Sequence, residues 1–145
     1  MTTTNKTFIA QQSININVPI SKVWDALINP KLIKQYMFDT DAVSDWKEGS
    51  PLIFKGEWKG KKYDDKGIIL KMEPNRIFQY SHFSPVSGVP DVPENYHIVT
   101  IELEGKGEQT KLTLCQDNNK DEETNKHSEK MWGSMLEALK KLLEK

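Results

Sequence analysis

The chain has 145 residues, 37% hydrophobic and 28% charged, the composition of one ordinary globular domain spanning residues 1–145 with a single substantial core. A net charge of -1 removes any global electrostatic case for nucleic acid or an anionic membrane, and no apolar run approaches the roughly 20 residues of a membrane span. A lone cysteine, Cys115, excludes an internal disulfide and a cysteine cluster for zinc; with no apolar signal-peptide core after Met1, a cytoplasmic location is expected.

Residues 8–18 alternate in part, with Ile14, Ile16 and Val18 on one face, and read as a half-buried strand. Pro19 stops that strand, and Ser21 is placed to N-cap a short helix whose apolar face is Val23, Trp24, Leu27 and Ile28. Asn29-Pro30 breaks the helix, and residues 31–37 form a second helical turn. Residues 40–46 make a poor, aspartate-rich strand before a turn at Glu48, Gly49, Ser50 and Pro51. Leu52, Phe54, Gly56 and Trp58 alternate on the next strand, and Lys59, Gly60, Lys61 and Lys62 form a hairpin tip. A strand over residues 67–72 is expected to turn Ile68, Leu70 and Met72 inward. Phe78, Tyr80 and His82 follow a turn at residues 73–76, and a long connection over residues 84–95 carries Pro85, Gly88, Pro90 and Pro93. His97, Val99, Ile101 and Leu103 alternate next, then Leu112, Leu114 and Gln116 after the Gly105/Gly107 turn.

The last stretch, residues 121–145, places Met131, Trp132, Met135, Leu136, Leu139, Leu142 and Leu143 on one stripe of period 3.6. Acids at Asp121, Glu122 and Glu123 and lysines at Lys140, Lys141 and Lys145 suit the helix dipole. Directly opposed residues of an antiparallel pair share a face. Folding at Pro74-Asn75 opposes Met72 to Phe78, Leu70 to Tyr80 and Ile68 to His82. Folding at Val89-Pro90 opposes His82 to His97 and Tyr80 to Val99, and folding at Gly107-Glu108 opposes Val99 to Gln116, Ile101 to Leu114 and Leu103 to Leu112. The expected class is α+β: a seven-stranded antiparallel curved sheet gripping a long C-terminal helix, with two short helices after the first strand.

Four inward polar groups, Tyr80, His82, His97 and Gln116, stand out on a face otherwise built of Ile, Leu, Val and Phe. Either they line a wet or ligand-filled pocket, or they bond to each other, to backbone or to solvent at the end of the sheet. With Phe54, Trp58, Val99, Met131, Trp132 and Met135 they make up the candidate cavity residues. His82 and His97 supply two facing imidazoles but no third ligand, Cys115 points outward and no inward carboxylate is evident, so no metal and no other cofactor is expected. No nucleophile elbow, phosphate-binding glycine loop or dinucleotide fingerprint is present, which leaves a general acid or base at His82, His97 or Tyr80 as the enzymatic alternative. Gly133, inside the final helix, either permits close approach of the sheet or leaves space for a ligand. The 84–95 connection is either a lid at a cavity mouth or a proline-stiffened surface loop.

Val23-Trp24-Asp25-Ala26-Leu27 after Pro19, the run from Gly67 through Arg76 with Phe78 and Tyr80, Leu112-Thr113-Leu114, and the run from Met131 through Leu139 together span nearly the whole chain. In order and spacing they resemble the helix-grip superfamily, which includes START lipid-transfer domains and the birch-pollen allergen fold. Within it the chain is most similar to the bacterial branch related to the activator of Hsp90 ATPase. That resemblance implies an apolar cavity between sheet and long helix, and a hydrophobic small molecule or lipid as the partner. A protein-interaction module related to Hsp90 activation is the alternative it implies, although the Asn- and Trp-rich N-terminal domain of eukaryotic activators has no counterpart here.

Overall fold

The computed structural model describes residues 8–58, 60–85 and 88–145, with the Trp58 side chain and the sequence features at Lys59 outside the described part. Its elements are β1 (Phe8–Ile16), α1 (Ile20–Ile28), α2 (Pro30–Tyr36), β2 (Asp41–Ser44), β3 (Pro51–Trp58), β4 (Lys61–Glu73), β5 (Ile77–His82), β6 (His97–Lys106), β7 (Gln109–Asn119) and α3 (Glu122–Leu143). The strands form one antiparallel curved sheet in the order β1-β7-β6-β5-β4-β3-β2, and α3 crosses its concave face. At 22 residues α3 is about 33 Å long.

Local chemistry explains where the helices start. Ser21 lies inside α1 rather than capping it: Pro19 is the N-cap residue, in extended conformation and with no side-chain bond. The Pro19 carbonyl accepts from Lys22 N at 3.0 Å, so the proline opens the helix through its backbone alone. Asn29 does cap α2, accepting from Lys31 N at 3.0 Å with Pro30 at the first helical position. The Tyr36 hydroxyl then donates to Ala26 O at 2.7 Å, tying α2 to α1. Asp121 caps α3 by accepting from Thr124 N at 2.7 Å.

The core lies between the concave face and α3. Ile16, Val23, Ile33, Leu52, Ile69, Val99, Leu112, Leu114, Leu136 and Leu139 are its largest shielded apolar side chains. Helix α3 is also fastened along β1. Gln12 Nε2 donates to Glu129 O at 2.7 Å, Gln11 N to Glu129 Oε2 at 3.1 Å, Lys140 Nζ to Asn15 O at 2.6 Å and Asn17 N to Glu144 Oε2 at 2.7 Å. A Cβ at Gly133 would sit 3.2 Å from Gln12 Nε2, so this glycine lets the helix approach the strand and does not face a cavity.

The β5/β6 and β6/β7 registers are those of the alternation: His82 opposes His97, Tyr80 opposes Val99, Val99 opposes Gln116 and Leu103 opposes Leu112. In β4 the expected phase is wrong above Met72. Met72 does oppose Phe78, but a bulge leaves Leu70 without a partner and puts Ile69, not Leu70, opposite Tyr80. Ile69 is fully buried while Ile68 and Leu70 are 47% and 40% exposed. One extra residue inserted in a strand reverses which side chains face inward beyond it. Ile68 therefore does not oppose His82. Its N–H bonds the Ser81 hydroxyl at 3.0 Å instead, and Lys66 and Phe83 exchange backbone hydrogen bonds at 2.9 and 2.7 Å.

Candidate functional site

The reversal turns the first half of β4, which is longer than the sequence pattern shows, into a wall of the concave face. Tyr63, Asp65 and Ile69 now share a side, and Tyr63 and Asp65 meet Tyr80 and His82 of β5 around a cavity of about 290 Å³. Phe54 of β3 and Gln116 of β7 complete the sheet side. Ser128, Met131, Trp132 and Met135 come from α3, at the 0, 3, 4, 7 spacing that puts them on one helical face. Met37, Phe38 and Thr40, from the turn between α2 and β2, form the remaining wall. Phe38 and Asp39 hold positive φ values of 54° and 65°, which swings this turn over the cavity. Beneath lies a smaller apolar gap of about 20 Å³ that reaches Leu27, Ile33, Tyr36, Trp46, Phe78 and Ile101.

A glycine gives the Tyr63 ring its place. A Cβ at Gly56, directly opposite in β3, would lie 2.3 Å from the phenolic oxygen, so the ring crosses bare backbone. Its hydroxyl and that of Thr40 lie 3.2 Å apart. Elsewhere on the wall, Trp132 Nε1 donates to Gln116 Oε1 at 2.6 Å, and Gln116 Nε2 donates to Asn119 Oδ1 at 3.2 Å. Asn119, 2% exposed, also accepts from Ser128 Oγ at 3.3 Å and donates to Phe8 O, Gln116 O and Asn125 Oδ1. Replacing Trp132 by Phe keeps an aromatic ring, though a smaller one, and leaves Gln116 Oε1 without its donor. The expected loss is about 1–3 kcal/mol of stability in urea unfolding, and a change below about 0.5 kcal/mol would show that the bond contributes nothing.

Asp65 Oδ2 lies 3.1 Å from His82 Nε2, with the two side chains 17% and 25% exposed. Asp65 Oδ1 is shielded from solvent, and no donor among the described residues reaches it. Burial and the Asp65 charge push the Tyr80 phenol well above its ordinary range, so it stays protonated. The His97 ring centroid is 6.5 Å from that of His82, but His97 Nδ1 is turned to Asp117 O at 2.8 Å.

Of the residues singled out from sequence, Phe54, Tyr80, His82, Gln116, Met131, Trp132 and Met135 line the cavity. Val99 is fully buried in the core between Tyr80 and Gln116, and His97 is occupied at the strand end; neither is on the cavity wall. The expectation of no inward carboxylate is overturned by Asp65. Tyr63, Thr40, Met37, Phe38 and Ser128 were also missed; counting the alternation back from Ile69 instead of Ile68 finds Tyr63 and Asp65. Among the described residues no three His, Cys, Asp or Glu side chains converge as metal ligands. The described part of the 84–95 connection does not enter the wall. Asp91 instead pairs with Lys66 on the outer side of β4, and Tyr96 stacks on Phe83 at 5.1 Å.

A curved antiparallel sheet closed over a long C-terminal helix, with two short helices after the first strand, defines the helix-grip class. Within that class the chain belongs to the family described as activator of Hsp90 ATPase homolog 1-like protein, whose model matches residues 17–144. It is 58% identical to a Cytophaga hutchinsonii protein solved in solution, over 94% of each chain, with a TM-score of 0.84. The solution structure of the Aha1 dimer from Colwellia psychrerythraea shares the fold at 20% identity and a TM-score of 0.71, covering 92% of this chain and 93% of that one. So does CalU16 from Micromonospora echinospora, at 19% identity and a TM-score of 0.72, over 95% of this chain and 83% of that one. No curated protein matches the sequence. No described helix is long and apolar enough to cross a membrane.

Proposed function

We propose that this protein is a non-enzymatic binding module that holds a compact hydrophobic small molecule between the sheet and the first half of α3. The cavity of about 290 Å³ carries this reading. It sits at the small end of the roughly 300–1,000 Å³ of ligand pockets, which favours a compact guest over a long-chain lipid. Phe54, Tyr80, Trp132, Met131 and Met135 supply aromatic and thioether surface that adapts to an apolar body. A cytoplasmic setting suits the free thiol of Cys115, which burial and nearby Glu102 push above its ordinary range and so keep poorly reactive.

The test is titration of the full chain with an apolar fluorescent probe such as 1-anilinonaphthalene-8-sulfonate, together with native mass spectrometry of the freshly purified protein. Saturable binding is expected, and it should fall at least tenfold in Ser128→Trp, whose indole projects into the cavity. Probe binding unaffected by that substitution, with no retained guest in the mass spectrum, would remove the proposal.

A second reading is favoured by the rim. Phe38 and Met131 are 70% and 57% exposed beside the opening, a pairing of apolar surface that suits contact with a protein such as Hsp90. Stimulation of Hsp90 ATPase that is lost in Phe38→Ser with Met131→Ser would establish it, and absence of stimulation would end that specific version.

A further inference from the structure

The wall of the cavity is nearly self-sufficient in hydrogen bonds. Thr40 meets Tyr63, Trp132 meets Gln116, and Gln116 and Ser128 both meet Asn119. These groups are thereby committed to one another. Asp65 breaks the balance: one carboxylate oxygen is held by His82, and the other is shielded with no described donor in reach. A carboxylate accepts several hydrogen bonds, and an acceptor left unmet away from water is costly. Among the described residues, Asp65 Oδ1 is thus the shielded side-chain acceptor of this wall that lacks a donor.

We infer that the guest of this cavity carries a hydrogen-bond donor, a hydroxyl or a protonated amine on an apolar body, and that Asp65 receives it. This inference rests on the binding reading above and adds the chemistry of the guest. Asp65 is placed to do so. It stands on the cavity wall beside His82 and Tyr80, and its side chain keeps 17% exposure. The terminal carboxylate torsion is soft, so rotation about it can bring the unpartnered oxygen towards the cavity. His82 Nε2 then retains the other oxygen and keeps the carboxylate aimed. The Tyr80 hydroxyl lies on the same wall, where it stays protonated and so adds no competing negative charge.

The experiment is calorimetric titration of the full chain with three probes of one shape: naphthalene, 2-naphthol and 2-naphthylmethylamine. The wild-type protein is expected to bind at least one donor-bearing probe about tenfold more tightly than naphthalene, the gain of one hydrogen bond to a charged acceptor. In Asp65→Ala that preference, read as the ratio of affinities within the variant, should shrink to about twofold or less. Asp65→Asn, which preserves shape and removes the charge, provides the same comparison if the alanine variant does not fold, and should weaken the amine more than the naphthol. Which donor-bearing probe binds more tightly in the wild type tells an alcohol or phenol from an amine. Equal affinity of all three probes in the wild type, or a preference that survives both substitutions, overturns the inference and leaves the binding module standing. Binding of none of the three overturns both.

Discussion

Gly67→Ala is expected to cost more than about 4 kcal/mol, a large share of the roughly 5–15 kcal/mol that holds an ordinary domain folded. A Cβ at this position would lie 1.6 Å from the Ser81 carbonyl oxygen and 2.5 Å from its carbon. Both are backbone atoms, so no side-chain rotation relieves the overlap. Strand β4 would have to part from β5 where Lys66 pairs with Phe83 and where Ile68 N–H reaches the Ser81 hydroxyl. Tyr63 and Asp65 lie just beyond this joint, so the cavity wall would go with it. Gly105→Ala is the matched control: its Cβ would meet Ile20 at 3.5 Å, an ordinary contact, and should change stability by no more than about 0.5 kcal/mol. Urea unfolding of the two variants decides the matter. Equal stabilities would mean that the close approach at Gly67 does not exist in solution.

The second large effect is expected in alkali. Tyr36 and Tyr80 are buried, and burial is the first cause lifting both phenols well above their ordinary value of 10.0. Tyr36 also needs its proton to donate to Ala26 O. A folded-state pKa raised above the unfolded one gives stability that is complete below pH 10 and declines as pH rises towards the folded value. Two such groups act in the same direction, so the fold should open cooperatively above pH 10, and ionisation of Tyr36 and Tyr80 should coincide with loss of the far-ultraviolet dichroism. Phenolate absorbance near 295 nm, followed with circular dichroism, separates the outcomes. Reversible ionisation of all the tyrosines around pH 10 with an unchanged dichroism spectrum would show that these two phenols are not buried.

Much of this arrangement is legible in the sequence because it is periodic. His97, Val99, Ile101 and Leu103 alternate cleanly, as do Leu112, Leu114 and Gln116, and a single register satisfies both hairpins they enter. The α3 stripe is equally plain, down to buried Met135, Leu136 and Leu139. Ile68-Ile69-Leu70 defeats the same logic. Three apolar residues in a row fit either phase, and the bulge that selects Ile69 has no signature in the alternation itself. The error then spreads outward along the strand, leaving Tyr63 and Asp65 in the stretch between the tip at residues 59–62 and the strand expected over residues 67–72. Met37, Phe38 and Thr40 escape notice for a different reason: they stand in a turn whose positive φ values aim the wall without any repeat. Val99 and His97 show the converse limit. Facing inward on the right strand identifies a layer, but not whether a residue ends in the core, at the strand end or on the cavity.

Helix α3 does more than roof the cavity. β1 is an outer strand of the sheet, and an outer strand with free backbone groups recruits other chains by strand addition. Its outward groups at Gln11 and Asn15, and the N–H of Asn17 just past its end, are already engaged by Glu129, Lys140 and Glu144 of α3. The charged side chains of the helix thus stand in for part of the missing neighbour strand, and they blunt this border as a template for strand addition.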